Sequence, residues 1–172
     1  PVGLIGLGLV GQAIAQRLRA AGIPTVGYDI RAEAREAFEA QGFPTASTPQ
    51  EVGDTAATVV LAVFDTAGVL DCVEGPTGLL TGTPRTTLLV DCSTGDPELL
   101  HALAHRLAAR GIGFVEAPLS GSSEQIAAGS ATMLVGTDSI TLERATPLLS
   151  AIAQTRVHVG GAGMGAKAKL AT

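Results

Sequence analysis

The sequence has no tryptophan, and its other aromatic residues are so few that they make up only 3% of 172 positions. A core with so few large rings is filled mainly by small and branched side chains, and 46% of the residues are hydrophobic. Together with 22 glycines, this composition indicates one domain in which helices pack closely on a sheet. The only two cysteines, Cys72 and Cys92, exclude a disulfide framework, and we expect a cytoplasmic protein.

Basic residues are also scarce. The sequence has 11 lysines and arginines against 16 acidic residues, which gives a net charge of −5, and the basic residues are scattered. Such a chain lacks the clustered positive charge with which proteins bind nucleic acids or anionic membranes. No apolar run approaches the roughly 20 residues that a membrane-spanning helix needs. We therefore expect neither nucleic acid nor a membrane as a partner.

The chain opens on the pattern of a strand, a glycine-rich turn and a helix. Residues 2–5 are apolar, and residues 12–21 favour a helix. The turn between them reads Gly6, Leu7, Gly8, Leu9, Val10 and Gly11. A helix that begins after such a turn presents unpaired N–H groups and the positive end of its dipole, which together favour a pyrophosphate. A glycine turn by itself needs no ligand, so this interpretation depends on the residues beyond the helix.

A second strand, at residues 24–28, ends in Asp29, which is followed by Ile30 and Arg31. In dinucleotide-binding domains a carboxylate at this place bonds the ribose hydroxyls of the adenosine half. The same carboxylate repels the 2′-phosphate of NADP, although Arg31 is near enough to attract one. We therefore predict a dinucleotide-binding domain that prefers NAD to NADP.

Apolar runs alternate with helical stretches along the rest of the chain. Helices are predicted at 32–41, 96–110 and 141–153, with a further helix start at 48–51. Strands are predicted at 43–46, 58–63, 88–91, 113–117, 131–135 and 156–159. Strands separated by helices imply an α/β fold of the Rossmann type, a doubly wound and mostly parallel sheet with helices on both faces.

Four stretches of the chain follow one another in a specific order. They are the opening glycine turn; Asp91, Cys92, Ser93 and Thr94; the run from Ala117 to Ser122, continued by Ala128 to Ala131; and Gly163, Met164 and Gly165, leading to Lys169. In this order they resemble the β-hydroxyacid dehydrogenase family, which includes 3-hydroxyisobutyrate dehydrogenase, tartronate semialdehyde reductase and 6-phosphogluconate dehydrogenase. The resemblance extends over essentially the whole chain.

The resemblance implies that Lys169 is the catalytic residue. In the family, a lysine four residues after the last glycine of the second turn acts on the substrate hydroxyl or carbonyl, which selects Lys169 over Lys167. An ammonium beside the reacting oxygen stabilises alkoxide character and donates or accepts the proton. The alternative is that both lysines are solvated at the start of a helix, where a cation is electrostatically disfavoured.

The resemblance also implies a substrate site and further cofactor contacts. Ser120, Gly121 and Ser122 match a turn that holds the substrate carboxylate through a hydroxyl and backbone N–H groups. The family has glycine at the place of Ser122, and serine tolerates a positive φ less well. The remaining cofactor contacts implied are Val63, Phe64 and Thr94. Phe64 stands where the family often has proline, while Asp65 is interpreted as a helix N-cap.

The end of the chain reads as the beginning of another element. We expect residues 1–163 to form the dinucleotide-binding domain and residues 164–172 to begin a helix that leads into an all-helical C-terminal domain beyond this sequence. The family resemblance implies that this further domain shapes the substrate site and forms a homo-oligomer.

The leading hypothesis is an NAD-dependent oxidoreductase that acts on a small 3-hydroxy or 2-hydroxy-3-oxo carboxylate. The alternatives are an imine reductase of the same superfamily, which typically lacks the lysine, and a non-catalytic dinucleotide-binding module. His101 and His105 are four residues apart, a spacing able to bind zinc, but no third ligand is nearby in sequence. We therefore expect no metal site.

Overall fold

The computed structural model describes all residues from Pro1 to Thr172. It has eight strands and eight helices. The strands are β1 (Val2–Ile5), β2 (Thr25–Tyr28), β3 (Thr58–Leu61), β4 (Leu88–Asp91), β5 (Gly113–Glu116), β6 (Leu119–Ser120), β7 (Thr132–Gly136) and β8 (Thr155–Gly160). The helices are α1 (Leu9–Ala20), α2 (Ala32–Ala40), α3 (Pro49–Thr55), α4 (Thr66–Glu74), α5 (Pro97–Ala108), α6 (Ser123–Ala128), α7 (Ser139–Ile152) and α8 (Met164–Leu170).

All eight strands form a single sheet. Its order is β2-β1-β3-β4-β5-β7-β6, with β8 paired to β7. The strands from β2 to β5 are parallel, β7 runs antiparallel to β5 and β6, and β8 is parallel to β7. The predicted fold, a doubly wound and mostly parallel sheet, is confirmed.

Buried side chains lie on both faces of this sheet. One cluster contains Leu4, Val60 and Val90 with α1 and α7, and the other contains Leu61 and Leu89 with α3, α4 and α5. Central parallel strands are covered on both faces, so their residues read as continuous apolar runs. This is why the sequence located β1, β3 and β4 well.

Two helix starts follow the capping chemistry that the sequence suggests. The carboxylate of Asp65 accepts the N–H of Gly68 and begins α4. The carboxylate of Asp96 accepts the N–H groups of Glu98 and Leu99, with a proline in the first turn of α5. Both caps satisfy N–H groups that a helix leaves without intrahelical partners.

Other predicted elements differ from those observed. Residues 43–46 form no strand; they make one isolated bridge, between Gly27 and Thr45. The sequence predicts Asp65 as an N-cap but not the extent of α4, and it predicts neither the short helix α6 nor the two-residue strand β6. A helix as short as α6 has too few residues to show helical periodicity, so its capping residues are its only strong local signal. No helix in the structure is both long and apolar enough to cross a membrane.

The fold predicts unequal costs for two truncations on α5. Leu103 is completely buried against the sheet, whereas Leu99 on the same helix is 47% exposed. Replacing Leu103 by alanine should lower the free energy of unfolding by about 3 kcal/mol, because a cavity remains. Leu99→Ala, the matched control, should cost less than about 1 kcal/mol. Urea unfolding of both variants measures the difference, and equal costs would contradict the packing of α5 on the sheet.

Candidate functional site

A cleft of about 800 Å³ lies at the carboxyl ends of the parallel strands. It is centred where β1 and β3 end, the point at which the strand order reverses direction, which is where α/β sheets bind ligands. Eleven of the residues singled out from the sequence line it: Gly6, Gly8, Val10, Asp29, Ile30, Arg31, Val63, Phe64, Thr94, Gly121 and Lys169.

The glycine turn forms one end of the cleft and is tightly constrained. A Cβ on Gly11 would lie 1.8 Å from the carbonyl oxygen of Gly6, so α1 packs directly on the turn. Gly6 itself has a φ of +102°, a conformation that side chains disfavour. Both positions therefore require glycine.

The first turn of α1 leaves its N–H groups free. Gly8 is the N-cap and supplies no side chain, and the first bond of the helix runs from Gln12 N–H to the Gly8 carbonyl. The N–H groups from Gly8 to Gly11 have no acceptor in the protein, and the space beside Gly8 is open. This cradle fits a pyrophosphate, which would accept those N–H groups at the positive end of the helix dipole.

Asp29 connects the end of β2 to the glycine turn. Its Oδ2 accepts the N–H of Leu7 at 2.9 Å, and its Oδ1 accepts the N–H of Arg31 at 2.9 Å and the Nε of Arg31 at 3.1 Å. Burial alone would raise the pKa of Asp29, but these hydrogen bonds and the guanidinium hold it below its usual range. The carboxylate is therefore ionised and fixed in orientation at the mouth of the cleft.

Two guanidinium groups stand beside this carboxylate. Arg31 remains 54% exposed while paired with Asp29, and Nη1 of Arg35 donates to the carbonyl of Asp29 at 2.7 Å. The predicted carboxylate and cation therefore lie together, as the sequence implied.

Three polar groups without protein partners lie toward the other end of the cleft. They are the hydroxyl of Thr94, the N–H of Gly121 and the ammonium of Lys169. Lys169 is half-buried and lines the cleft, whereas Lys167 is exposed and does not. Both lysines belong to α8, the helix that begins at Met164.

The structure corrects the expectation about Ser122. Its φ is −75°, so serine causes no backbone strain here, and the positive φ of +146° belongs to Gly121. The Ser122 hydroxyl accepts the N–H of Gln125, whose side chain accepts the N–H of Ser122 in return. This capping box begins α6, so the departure from glycine has a local structural use.

Five of the residues singled out from the sequence do not line the cleft: Leu7, Leu9, Gly11, Ser120 and Ser122. Leu7 is buried in the core and takes part through its N–H alone, and Leu9 is 76% exposed at the start of α1. Gly11 is the packing contact described above.

The cleft also contains residues that the sequence reasoning missed, among them Tyr28, Asp71, Cys72, Thr77 and Ile126. Most of them come from α4 and α6 or from the loop after α4, elements whose extent was not predicted. Burial raises the pKa of the Cys72 thiol to about 11, so it remains protonated near neutrality.

A chain of hydrogen bonds below the cleft joins two strand ends. The Ser93 hydroxyl accepts the N–H of Val63 at 2.9 Å, and Oδ1 of Asp91 accepts the N–H of Ser93 at 2.9 Å. Asp91 is 1% exposed and its Oδ2 has no partner. Burial raises the pKa of Asp91 to about 7, and the neighbouring carboxyl of Glu116 adds to the rise.

The two histidines of α5 lie outside this cleft. Nδ1 of His101 donates to the carbonyl of Ala162 at 3.1 Å, and the rings of His101 and His105 are 6.3 Å apart. No three His, Cys, Asp or Glu side chains come together as metal ligands would.

The sequence of this chain is similar to that of a known family of cofactor-binding domains. The family described as the NAD-binding domain of 6-phosphogluconate dehydrogenase matches residues 1–161. The chain belongs to this family. This match and the relatives described next confirm the resemblance to β-hydroxyacid dehydrogenases.

Three relatives illustrate the similarity. Mitochondrial 3-hydroxyisobutyrate dehydrogenase of Mus musculus is 31% identical over 170 residues, which is 99% of this chain and 51% of the mouse protein. The structure of Mycobacterium tuberculosis 3-hydroxyisobutyrate dehydrogenase with L-serine has a TM-score of 0.90 and 28% identity, covering 99% of this chain and 57% of that one. The structure of Psf3 with NADP+ and 2-OPP has a TM-score of 0.91 and 28% identity, covering 99% and 61%.

The chain spans about half the length of the curated relatives it matches. Solved imine reductases also share its fold, at 22% identity or less, a level that reports the fold alone.

Asp91 predicts a specific dependence of stability on pH. Because the folded state raises its pKa to about 7, the folded protein binds a proton that the unfolded chain releases near pH 4. The contribution of this group to stability should therefore be fully present below about pH 4 and be lost between about pH 4 and 7, by up to about 1.4 kcal/mol per pH unit.

The variant Asp91→Asn isolates this contribution, because its amide oxygen keeps the bond from Ser93 and carries no charge. The variant should match the wild type near pH 4 and exceed its stability above pH 7. Urea unfolding at a series of pH values measures both curves, and parallel curves would rule out a titrating Asp91.

Proposed function

We propose that this chain is the cofactor-binding half of an NAD(P)-dependent oxidoreductase that acts on a small 3-hydroxy or 2-hydroxy-3-oxo carboxylate. One observation carries the proposal. A single cleft has free N–H groups and an ionised carboxylate at one end and the unpaired groups of Thr94, Gly121 and Lys169 at the other. The first end suits a dinucleotide, and the second suits an acid with a reacting hydroxyl.

Each group has a role that its surroundings support. The N–H groups at the start of α1 bind the pyrophosphate, Asp29 accepts hydrogen bonds from the adenosine ribose, and Thr94 bonds near the nicotinamide. The N–H of Gly121, which lines the cleft, binds the substrate carboxylate. A bound nicotinamide would supply the hydride chemistry.

Lys169 handles the proton at the substrate oxygen. Its half-buried ammonium has no acid partner to neutralise it. It therefore stabilises the negative charge that develops on the oxygen as hydride leaves or arrives. This role also separates the proposal from an imine reductase, which typically lacks the lysine, and from a module that binds cofactor without turnover.

Replacing Lys169 by alanine in the natural protein that contains this chain should lower kcat at least a hundredfold, because proton transfer and charge stabilisation are both lost. The dissociation constant for NADH should change less than about twofold. Lys167→Ala is the matched control, since that side chain is exposed outside the cleft, and it should retain wild-type kcat.

Oxidation of 3-hydroxy acids, followed as NADH formation at alkaline pH, measures these rates. Turnover of cyclic imines instead of hydroxy acids would support an imine reductase, and cofactor binding with neither activity would support the non-catalytic module. Near-normal kcat in Lys169→Ala would overturn the proposed role of the lysine.

We further propose that NAD is preferred to NADP, because the Asp29 carboxylate stays ionised where a 2′-phosphate would lie. Asp29→Asn removes the charge and keeps an oxygen for the Leu7 N–H. The variant should weaken NADH binding about tenfold and lower the ratio of the affinity for NADH to the affinity for NADPH. Glu36→Gln, an exposed acid on α2, is the control. Fluorescence titration measures the affinities, and tighter binding of NADPH by the wild type would refute the preference.

A further inference from the structure

The helix α8, which carries Lys169, rests unusually close to the sheet. A Cβ on Gly136 of β7 would lie 2.6 Å from the backbone nitrogen of Gly165 in α8. A Cβ on Gly165 would lie 3.1 Å from the Cβ of Glu116. Backbone contact at two glycines therefore sets the distance between α8 and the strands, and leaves no room for adjustment by side chains.

The first turn of α8 has no cap of its own. Its N-cap is Gly163, which has a φ of +89° and no side chain to accept an N–H. The cap comes instead from Glu116 at the end of β5, which is 1% exposed. One carboxylate oxygen of Glu116 accepts the N–H of Gly163, and the other accepts the N–H of Ala166 at 3.2 Å.

We infer that Glu116 is a positioning residue for Lys169. Its two oxygens bond N–H groups three residues apart, so they fix both the height and the rotation of α8 on the sheet. Lys169 follows Ala166 by less than one helical turn, and its direction into the cleft depends on that rotation. This inference rests on the proposed catalytic role of Lys169 and adds a residue that touches neither cofactor nor substrate.

The buried carboxylate of Glu116 is stabilised mainly by these two N–H groups, because few other groups around it can offset its charge. No lysine or arginine pairs with it. Asp91 lies beside it on β4 in the same register, and His101 faces it from α5. Burial raises the pKa of Glu116, while the two N–H groups and His101 oppose the rise. Since backbone donors supply most of the compensation, removing the charge should loosen α8 rather than rearrange the sheet.

The variant Glu116→Gln tests the inference at nearly constant volume. Its amide oxygen can accept one N–H, but its NH₂ group then faces the other N–H, so one of the two bonds is lost. In the natural full-length protein, kcat should fall about tenfold to a hundredfold, because a shift of about 1 Å in a catalytic group has effects of that size. The dissociation constant for NADH should stay within about twofold.

Hydrogen exchange provides a readout independent of activity. Amides of α8 should exchange at least about tenfold faster in Glu116→Gln, while those of α1 remain unchanged. Glu116→Asp, which keeps the charge on a shorter side chain, should recover part of both effects. Glu98→Gln, an exposed acid on α5, is the control and should match the wild type in both measurements.

The outcomes separate the two proposals. Faster exchange in α8 with unchanged kcat, or reduced kcat with unchanged exchange in α8, would overturn the positioning role. Faster exchange in α1 as well would mean that Glu116→Gln loosens the whole domain. In that case Glu116→Asp decides: recovery of α8 exchange and of kcat would support the positioning role, and failure to recover either would overturn it. If Lys169→Ala keeps normal kcat, the proposed function fails on that measurement alone, whatever Glu116→Gln does.

Discussion

The structure depends on the contact between Gly11 and the carbonyl of Gly6. Because no side chain fits there, α1 begins directly against the turn and its first N–H groups find no partner within the protein. The bond from Leu7 N–H to Asp29 then ties this turn to β2. The same carboxylate therefore holds the turn in shape and presents negative charge at the mouth of the cleft, so its ionisation serves structure and binding together.

Two buried acids occupy equivalent places at the ends of β4 and β5. Asp91 bonds the loop that continues to Thr94, while Glu116 bonds the start of α8. Their side chains share one face of the sheet because the strands are parallel and in register. Each acid thus lies beneath one flank of the same cleft, and the hydrogen bonds that each accepts come from backbone N–H groups rather than from a lysine or arginine.

Much of the fold was predictable because its signals are local. Central strands such as β3 and β4 read as continuous apolar runs, and Asp65 and Asp96 mark helix starts through bonds to nearby N–H groups. The failures have equally physical causes. Residues near Thr45 are apolar and strand-like but find only one bridging partner, at Gly27, and α6 is too short for periodicity to show.

The sequence by itself determined the glycine turn, the acid after the second strand, the order of the motifs and the family that they imply, since each depends on residues close together in the chain. Only the tertiary structure decided which predicted residues reach the cleft, that Lys169 does and Lys167 does not, and that Ser122 caps a helix instead of straining a turn. It alone placed Glu116 beneath α8, because that contact joins residues 47 and 50 positions apart and leaves no local pattern.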